Sequence, residues 1–291
     1  AQSGVASLVL VSRSGKFVSG TANELRQLEQ TDSQWRVERC DFAQGADVRS
    51  LLLSSECRPK VHRGFWHAAG VLSDALLSRQ DSKLLERVYG PKAHASRLIH
   101  AMCLGRDLRA CMLFSSIAAL QGNSGQANYS AANAGLDMLA VCRRSAGQVA
   151  VSTQWGAWAE IGMAANALVS ERMKASGIGL IGLAQGLEVL RKAVSPLSLT
   201  VSAVLVLKWD KVLAGGVPPF YSAFAPRTSA SKAAPQQSAA ASSACAVGLS
   251  TVLELVRRTA SASVDADAPL MEAGVDSLGA VELRNQLQTA V

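Results

Sequence analysis

The sequence has few aromatic residues, no long apolar run and no paired-cysteine motif, and each absence excludes a class of protein. Aromatic residues make up only 5% of the 291 residues, which disfavours a nucleic-acid-binding surface despite the formal net charge of +7. No stretch has the roughly 18 apolar residues of a membrane-spanning helix, and none has the pattern of a signal peptide. None of the six cysteines lies in a C-x-x-C pair or near a histidine at zinc-ligand spacing, so no metal site is expected.

The cysteines also bear on the compartment. Cys111 and Cys142 stand among apolar residues, so we expect both to be buried, reduced thiols. Together with the missing span and signal peptide, this pattern predicts an intracellular, cytoplasmic protein.

Composition divides the chain into two parts joined by a linker. Residues 225–246 include 18 that are Ala, Ser, Pro or Gln and have no periodic apolar pattern, which is typical of a flexible linker. From residue 246 onward there are six acidic and three basic residues, whereas the rest of the chain has 16 acidic and 26 basic residues. Because composition and charge change at the same place, we predict one domain over 1–224 and another over 247–291.

The first domain alternates segments of strand length with segments of helix length. This alternation, with nearly continuous apolar strands, predicts an α/β fold with a Rossmann-like, doubly wound parallel sheet. Such sheets bind ligands at the carboxyl ends of their strands. The predicted strands are Val5–Ser12, Trp35–Cys40, Gly64–Ala69, Ala110–Phe114, Gln148–Gln154 and Leu199–Leu207, and the predicted helices are Ala22–Gln30, Asp81–Met102, Asn128–Ala146 and Ala184–Ala193.

The glycine-rich loop expected of a dinucleotide-binding sheet does not follow a predicted strand. The one G-x-G-x-x-G string, GIGLIG at 177–182, follows a helical or loop-like segment and is better explained as a turn. The first predicted strand is followed by Arg13 and resembles the second strand of a Rossmann unit, where an arginine pairs with the 2′-phosphate of NADP. Since the chain begins at Ala1 rather than Met and ends inside a predicted helix, we expect a fragment whose first strand and glycine loop precede Ala1. Without that loop, residues 1–291 are not expected to turn over.

The segment LFSSIAALQGNSGQANYSAANAGLDML, at 113–139, is the most specific pattern in the chain. A predicted strand ends at Ser115–Ser116, a glycine-rich loop follows, and Tyr129 begins a helix with Asn133 one turn later on the same face. Each residue alone has an ordinary explanation as a packing, turn or solvated side chain. The combination at this spacing indicates an active site.

This pattern resembles the ketoreductase domain of type I polyketide synthases, a branch of the short-chain dehydrogenase/reductase superfamily. The resemblance extends through nearly the whole first domain. Its motifs are HAAGV at 67–71, Pro91-Lys92, LFSS at 113–116, GQANYSAANAGLD at 125–137 and WGAWAEIGM at 155–163.

The resemblance implies roles for four residues. Tyr129 would donate a proton to the ketone, and Ser116 would donate a hydrogen bond that polarises the carbonyl. Lys92 would replace the lysine that ordinary short-chain dehydrogenases place four residues after the tyrosine, where this chain has Asn133. A nearby ammonium is expected to favour the tyrosinate and lower the pKa of Tyr129. A solvated helix lysine is the alternative for Lys92.

The resemblance also implies NADPH as the cofactor. Arg13 would pair with its 2′-phosphate, Asp41 would lie beside the adenine, and the turn at 68–70 would pass under the ribose. The implied cofactor-binding residues are Ser12, Arg13, Asp41, Ala68, Ala69 and Gly70.

Three positions bear on the stereochemistry of the alcohol. Asp74 retains the last residue of the Leu-Asp-Asp motif of one ketoreductase class, although Ser73 replaces its first Asp. Gln121 stands where the other class has a tryptophan, and Asn128 also resembles the first class. The resemblance therefore predicts a D-configured (often R) alcohol.

The stretch Trp155–Ala193 is predicted to form a lid on the substrate side. Within it, Trp158 and Met163 have two explanations, lining of the substrate site or ordinary core packing.

The acidic tail resembles the start of an acyl carrier domain. Apolar residues at helical spacing predict a first helix over 249–256, and the string GVDSL at 274–278 resembles the family's attachment motif. Ser277 would carry 4′-phosphopantetheine, and a plain helix N-cap is the alternative for this serine. The later helices of the family are absent, so we expect a partial all-α bundle.

The resemblance predicts NADPH-dependent reduction of a carrier-bound β-ketoacyl thioester to a β-hydroxyacyl thioester in polyketide biosynthesis. The implied partners are the acyl chain on its carrier, ketosynthase and acyltransferase domains, and a phosphopantetheinyl transferase. Two alternatives stay open. One is a free-standing short-chain reductase that acts on a diffusible substrate, and the other is a silent ketoreductase that only docks carriers.

Overall fold

The computed structural model describes nine stretches of the chain and one isolated residue. They are 7–16, 22–53, 64–104, 108–159, 173–174, 177–195, 197–213, 219–224, 249–260 and residue 283. The linker 225–246, Met163, Ser277 and most of 247–291 lie outside the described residues.

Short strands alternate with helices along the described chain. The strands are β1 (Ser7–Ser12), β2 (Gln34–Arg39), β3 (Gly64–His67), β4 (Ala110–Ser116), β5 (Val151–Trp155), β6 (Ile178–Gly179), β7 (Val201–Val204) and β8 (Val206–Leu207). The α-helices are α1 (Ala22–Glu29), α2 (Gly45–Leu53), α3 (Ser82–Tyr89), α4 (Ala95–Met102), α5 (Ala118–Gln121), α6 (Ala127–Ser145), α7 (Leu183–Ala193), α8 (Trp209–Val212) and α9 (Leu249–Ala260).

The strands form the predicted parallel sheet. β3, β4, β5 and β7 pair in that order, all parallel, and β1 pairs with β2 in parallel. Parallel strands end at the same edge of a sheet, so Ser116 at the end of β4 lies beside the ends of β3 and β5. The fold is Rossmann-like, as predicted, and that edge is where a ligand is expected.

Two apolar clusters hold the helices against the strands. Leu113 of β4 is fully buried against Leu136 and Ala140 of α6, two positions at helical spacing on one face. The second cluster joins the two groups of parallel strands, because Val11 of β1 and Phe65 of β3 pack against the same buried residues. Those residues are Cys40, Val48, Ile99, Cys103 and Leu108.

The predicted helix over 81–102 is wrong in its middle. α3 and α4 are separated by a turn of π-helix at Gly90–His94, which we call the π turn. Pro91 lies in this turn, has no N–H and clashes with a regular helix interior, which accounts for the interruption.

Three other expectations are settled by the fold. The predicted strand over 199–207 is interrupted at Leu205, after which β8 pairs antiparallel with β6. The expected turn at 177–182 is right only for Gly177, because the next two residues form β6 and Gly182 immediately precedes α7. Cys111 is buried, but the prediction for Cys142 is wrong, because that cysteine lies on the exposed face of α6.

Candidate active site

Ser116 and Tyr129 meet at the carboxyl edge of the sheet. Ser116 is the last residue of β4, and its Oγ accepts a hydrogen bond from the N–H of Ala118 at 3.2 Å. Tyr129 lies in the first turn of α6 and is buried, and its phenol is close enough to the side chains of Ser116 and Asn133 for both to lower its pKa. The sequence spacing therefore does bring the two hydroxyl groups together.

Lys92 reaches this pair from the π turn. The side chain is 3% exposed, and its Nζ donates hydrogen bonds to Asn133 Oδ1 at 2.9 Å and to the carbonyl of Phe114 at 3.0 Å. Nζ lies 5.3 Å from the centroid of the Tyr129 ring. Asn133 Nδ2 in turn donates to the carbonyl of Tyr129 at 2.8 Å. Asn133 thus fixes both the ammonium and the first turn of α6, and the solvated alternative for Lys92 is wrong.

Gly70 makes room for the lysine. A Cβ at position 70 would lie 2.6 Å from Lys92 Cε, closer than real Cβ contacts. The lysine could not easily yield, because its far end is already held by Asn133 and Phe114. The turn after β3 therefore needs a glycine at this position for the lysine to pass.

Burial dominates the titration of the site. It raises the pKa of Tyr129, against the lowering effect of the hydrogen bonds from Ser116 and Asn133, so the expected lowering of this pKa is wrong for this structure. Burial also lowers the pKa of Lys92 to about 8, and the negative charge of Asp137 opposes that change. At neutral pH the site therefore holds a protonated phenol beside an ammonium.

Two of the three stereochemical positions belong to one hydrogen-bonded group. Asn128 Nδ2 donates to the carbonyl of Ser73 at 2.8 Å, and Gln126 Nε2 donates to Asp74 Oδ2 at 3.0 Å. The loop after β3 is thereby fixed to the start of α6, beside Tyr129. Gln121 instead is exposed at the end of α5 and lines a groove of about 410 Å³.

The predicted cofactor-binding residues follow the ends of the first three strands. Arg13 is exposed directly after β1, where a cation suits a phosphate, and Ser12 Oγ donates to the carbonyl of Lys16 at 3.2 Å. Asp41 follows β2, and its Oδ1 accepts from the N–H of Ala43 at 3.0 Å. The turn at 68–70 follows β3. These positions fit a nucleotide laid along the strand ends.

Sequence reasoning missed two polar residues. His67, the last residue of β3, is buried against the π turn, with Nε2 3.2 Å from the carbonyl oxygen of Lys92. Asp137 accepts hydrogen bonds from Ser152 Oγ at 2.6 Å and Gln154 Nε2 at 2.8 Å, which fixes α6 to β5. The only sequence signal for these two residues was their place inside the motifs HAAGV and GLDML.

Trp158 packs against Trp155, with ring centroids 4.8 Å apart, and against Gly186 of α7. Of its two predicted explanations, this contact supports core packing.

A family profile described as "KR domain" matches residues 1–160, which is more than half of the chain. The chain belongs to the ketoreductase family. A second profile, "Phosphopantetheine attachment site", matches residues 249–291, so the ketoreductase is followed by a carrier segment. Domains of these two kinds use NADPH and 4′-phosphopantetheine, respectively.

The relatives of this ketoreductase are type I polyketide synthases. It is 33% identical to the phenolphthiocerol synthesis polyketide synthase type I Pks15/1 of Mycobacterium marinum, over 99% of this chain and 15% of that protein. It is 35% identical to the spectinabilin polyketide synthase system protein NorB of Streptomyces orinoci, over 96% of this chain and 14% of that protein. The chain thus spans about one seventh of the length of these relatives.

Solved ketoreductases have the same fold. An A-type ketoreductase from a modular polyketide synthase is 33% identical, with a TM-score of 0.67 over 77% of this chain and 46% of that chain. The ketoreductase from the first module of phoslactomycin biosynthesis in Streptomyces sp. HK803 is 26% identical, with a TM-score of 0.71 over 78% of this chain and 53% of that chain. Among the described residues of the ketoreductase, no helix is long and apolar enough to span a membrane.

Proposed function

We propose that this ketoreductase reduces a β-ketoacyl thioester, held on a carrier domain, to the β-hydroxyacyl thioester. One observation carries the proposal. Ser116, Tyr129 and Lys92 converge at the carboxyl edge of the sheet, where the phenol of Tyr129 is protonated and the ammonium of Lys92, bound by Asn133, lies 5.3 Å from the centre of the phenol ring. The hydroxyl groups of Ser116 and Tyr129 suit a carbonyl oxygen that becomes negative during reduction.

NADPH, when bound, supplies the hydride that forms the new C–H bond at the carbonyl carbon. Ser116 donates a hydrogen bond to the carbonyl oxygen and stabilises the negative charge that develops there. Tyr129 transfers its phenolic proton to that oxygen, which completes the alcohol and leaves a tyrosinate. Lys92 stabilises the tyrosinate through its positive charge, and Asn133 and Phe114 hold the ammonium in place.

The direct test is turnover by the full-length protein with the N-acetylcysteamine thioester of 3-oxobutyrate. We expect NADPH consumption to equal the amount of 3-hydroxybutyryl thioester formed. If NADPH is consumed as fast with simple ketones as with the thioester, the result supports a reductase that acts on diffusible substrates. No consumption supports a silent ketoreductase that only docks carriers. The expected inactivity of residues 1–291 alone stays a prediction, which an NADPH titration of that polypeptide tests.

Arg13 is proposed to set the preference for NADPH over NADH. A charge-assisted hydrogen bond contributes about 1.5–3 kcal/mol, so Arg13→Ala is expected to raise KM for NADPH by about 10- to 100-fold. KM for NADH should stay the same, because NADH has no 2′-phosphate. Steady-state kinetics with both cofactors measure this, with Arg26→Ala on α1 as the control for loss of a surface arginine. An equal effect of Arg13→Ala on both cofactors would contradict the assignment.

The group around Asp74 is proposed to direct formation of a D-configured alcohol. The hydrogen bonds of Asn128 and Gln126 hold the Asp74 loop against the start of α6, where Tyr129 lies. Chiral chromatography of the 3-hydroxybutyryl product measures the outcome. We expect the D alcohol in excess, and a predominantly L product would reject the assignment.

Ser277 is proposed to carry the phosphopantetheine arm, and a phosphopantetheinyl transferase is the partner that attaches it. Incubation of the full-length protein with such an enzyme and coenzyme A should add the mass of one arm to the peptide that contains Ser277. Ser277→Ala should abolish this addition, whereas Ser261→Ala, 16 residues earlier in the sequence, should not. Modification of the Ser277→Ala variant at the same peptide would reject the assignment. Ketosynthase and acyltransferase domains are proposed as the other partners.

A further inference from the structure

His67 occupies a position that the reaction scheme above does not use. It is the last residue of β3, only 2% exposed, and its Nε2 lies 3.2 Å from the backbone carbonyl oxygen of Lys92. A carbonyl oxygen only accepts hydrogen bonds, so Nε2 carries the proton and donates it. Burial and the charge of Lys92 lower the pKa of His67 to about 4, so the ring is neutral at neutral pH.

The hydrogen bond from His67 supports an irregular part of the backbone. The π turn has one donor fewer than a regular turn, because Pro91 has no N–H. The carbonyl of Lys92 accepts from the N–H of Ala95 inside the turn and from His67 outside it. Turns of π-helix are rare and short, and they are retained where surrounding contacts determine them.

The neighbouring strands β3 and β4 hold the backbone and the ammonium of Lys92, respectively. His67 of β3 pairs in register with Leu113 of β4, and the residue after Leu113 supplies the carbonyl that accepts from Lys92 Nζ at 3.0 Å. The backbone of the lysine is therefore anchored on β3 and its ammonium on β4. The ring of His67 is itself packed edge-on against Phe42, with centroids 5.8 Å apart, so the donor has a fixed direction.

We propose that His67 is a positioning residue that holds the π turn, and thereby places the ammonium of Lys92 between Asn133 and Phe114 for the reduction. A test by reductase activity rests on the proposed function, whereas a test by hydrogen exchange of the backbone does not. Losing the hydrogen bond would let the turn shift, and a displacement of about 1 Å in a reacting group lowers rates by about 10²-fold.

Three substitutions in the full-length protein separate hydrogen bonding from packing. His67→Gln keeps an amide N–H at about the reach of Nε2, His67→Asn has the same amide one methylene shorter, and His67→Phe keeps the ring without a donor. Thermal unfolding and NADPH binding check the fold of each variant. If the phenylalanine variant does not fold, the glutamine and asparagine pair still gives the comparison.

We expect kcat for the 3-oxobutyryl thioester to fall by about 10- to 100-fold in His67→Asn and His67→Phe, with KM nearly unchanged, and by no more than about threefold in His67→Gln. The fall of the rate at high pH reports the deprotonation of Lys92. The pH of this fall should change in His67→Asn and His67→Phe but not in His67→Gln. The titratable groups around Lys92 are Asp137, whose negative charge raises the pKa of the lysine, Tyr129, whose ring centroid lies 5.3 Å from Nζ, and His67, which is hydrogen-bonded to the lysine's backbone carbonyl.

Hydrogen exchange in the peptide that spans the π turn gives a readout independent of activity. Exchange should quicken by about tenfold or more in the asparagine and phenylalanine variants and stay unchanged in the glutamine variant. Equal exchange in all variants, or an equal fall of kcat in the glutamine and asparagine variants, would overturn the proposal. A wild-type protein without reductase activity would reject the proposed function, and exchange would still decide the role of His67.

Discussion

Tyr129→Phe is expected to lower kcat for reduction of the 3-oxobutyryl thioester by about 10²- to 10⁴-fold, the range that a positioned acid contributes. The phenol is the group that gives its proton to the new alcohol, and burial raises its pKa so that it stays protonated at neutral pH. The ring packs with Val88 and Ala132, and phenylalanine preserves that packing. KM for NADPH and thermal stability should therefore change little.

The control for this variant is Tyr89→Phe. Tyr89 ends α3 and packs against the same apolar cluster, so the control removes one hydroxyl group from a neighbouring ring. We expect its kcat to match the wild type. The assignment of Tyr129 would be wrong if both variants kept full activity, measured as NADPH consumption and as 3-hydroxy product.

Lys92→Met is expected to lower kcat by about 10²-fold or more, because it removes the ammonium that stabilises the tyrosinate. Methionine nearly fills the space of the lysine side chain but leaves the carbonyl of Phe114 and Asn133 Oδ1 without their donor. The exposed Lys83→Met on α3 is the matched control and should behave as the wild type.

The pH dependence of kcat provides a second test of Lys92→Met. The pKa of Lys92 is lowered to about 8, so the ammonium is fully present only well below that pH and is lost as the pH rises through it. Wild-type kcat should therefore fall above about pH 8, and this limb should be absent from Lys92→Met. A limb near pH 8 that persists in the variant would show that another group titrates.

Gly70→Ala tests the same lysine from the opposite side. The added Cβ would lie 2.6 Å from Lys92 Cε and displace a side chain that Asn133 and Phe114 hold. We expect kcat to approach that of Lys92→Met. Gly182→Ala, whose Cβ would meet nothing closer than 3.7 Å, is the control and should retain activity.

Local patterns predicted the parts of the site that follow one another along the chain. Ser116 ends β4, as the apolar run predicted within two residues, and Tyr129 and Asn133 share a face of α6, as their spacing predicted. The motif around Tyr129 was specific because a strand, a turn and a helix start occur there within a short segment. The raised pKa of Tyr129 was not foreseen, because it depends on how many atoms surround the phenol.

The interruption of the helix over 81–102 shows where local reasoning failed. Apolar periodicity favours one helix through Gly90 and Pro91, although a proline in a helix interior removes a donor and clashes with the preceding turn. The π turn is also supported from outside by His67, which is 25 residues earlier in the chain. No periodicity within the helix carries information about that contact.

The sequence by itself determined the family, the parallel sheet, the strand end at Ser116 and the common face of Tyr129 and Asn133, because each depends on local spacing or on a motif. Only the tertiary structure decided that Lys92 contacts Asn133, 41 residues away, and that His67 and Gly70 shape its path. The reason is physical. Burial and hydrogen bonds between distant segments depend on how the strands and helices pack, and a side chain's spacing along the chain does not specify that packing.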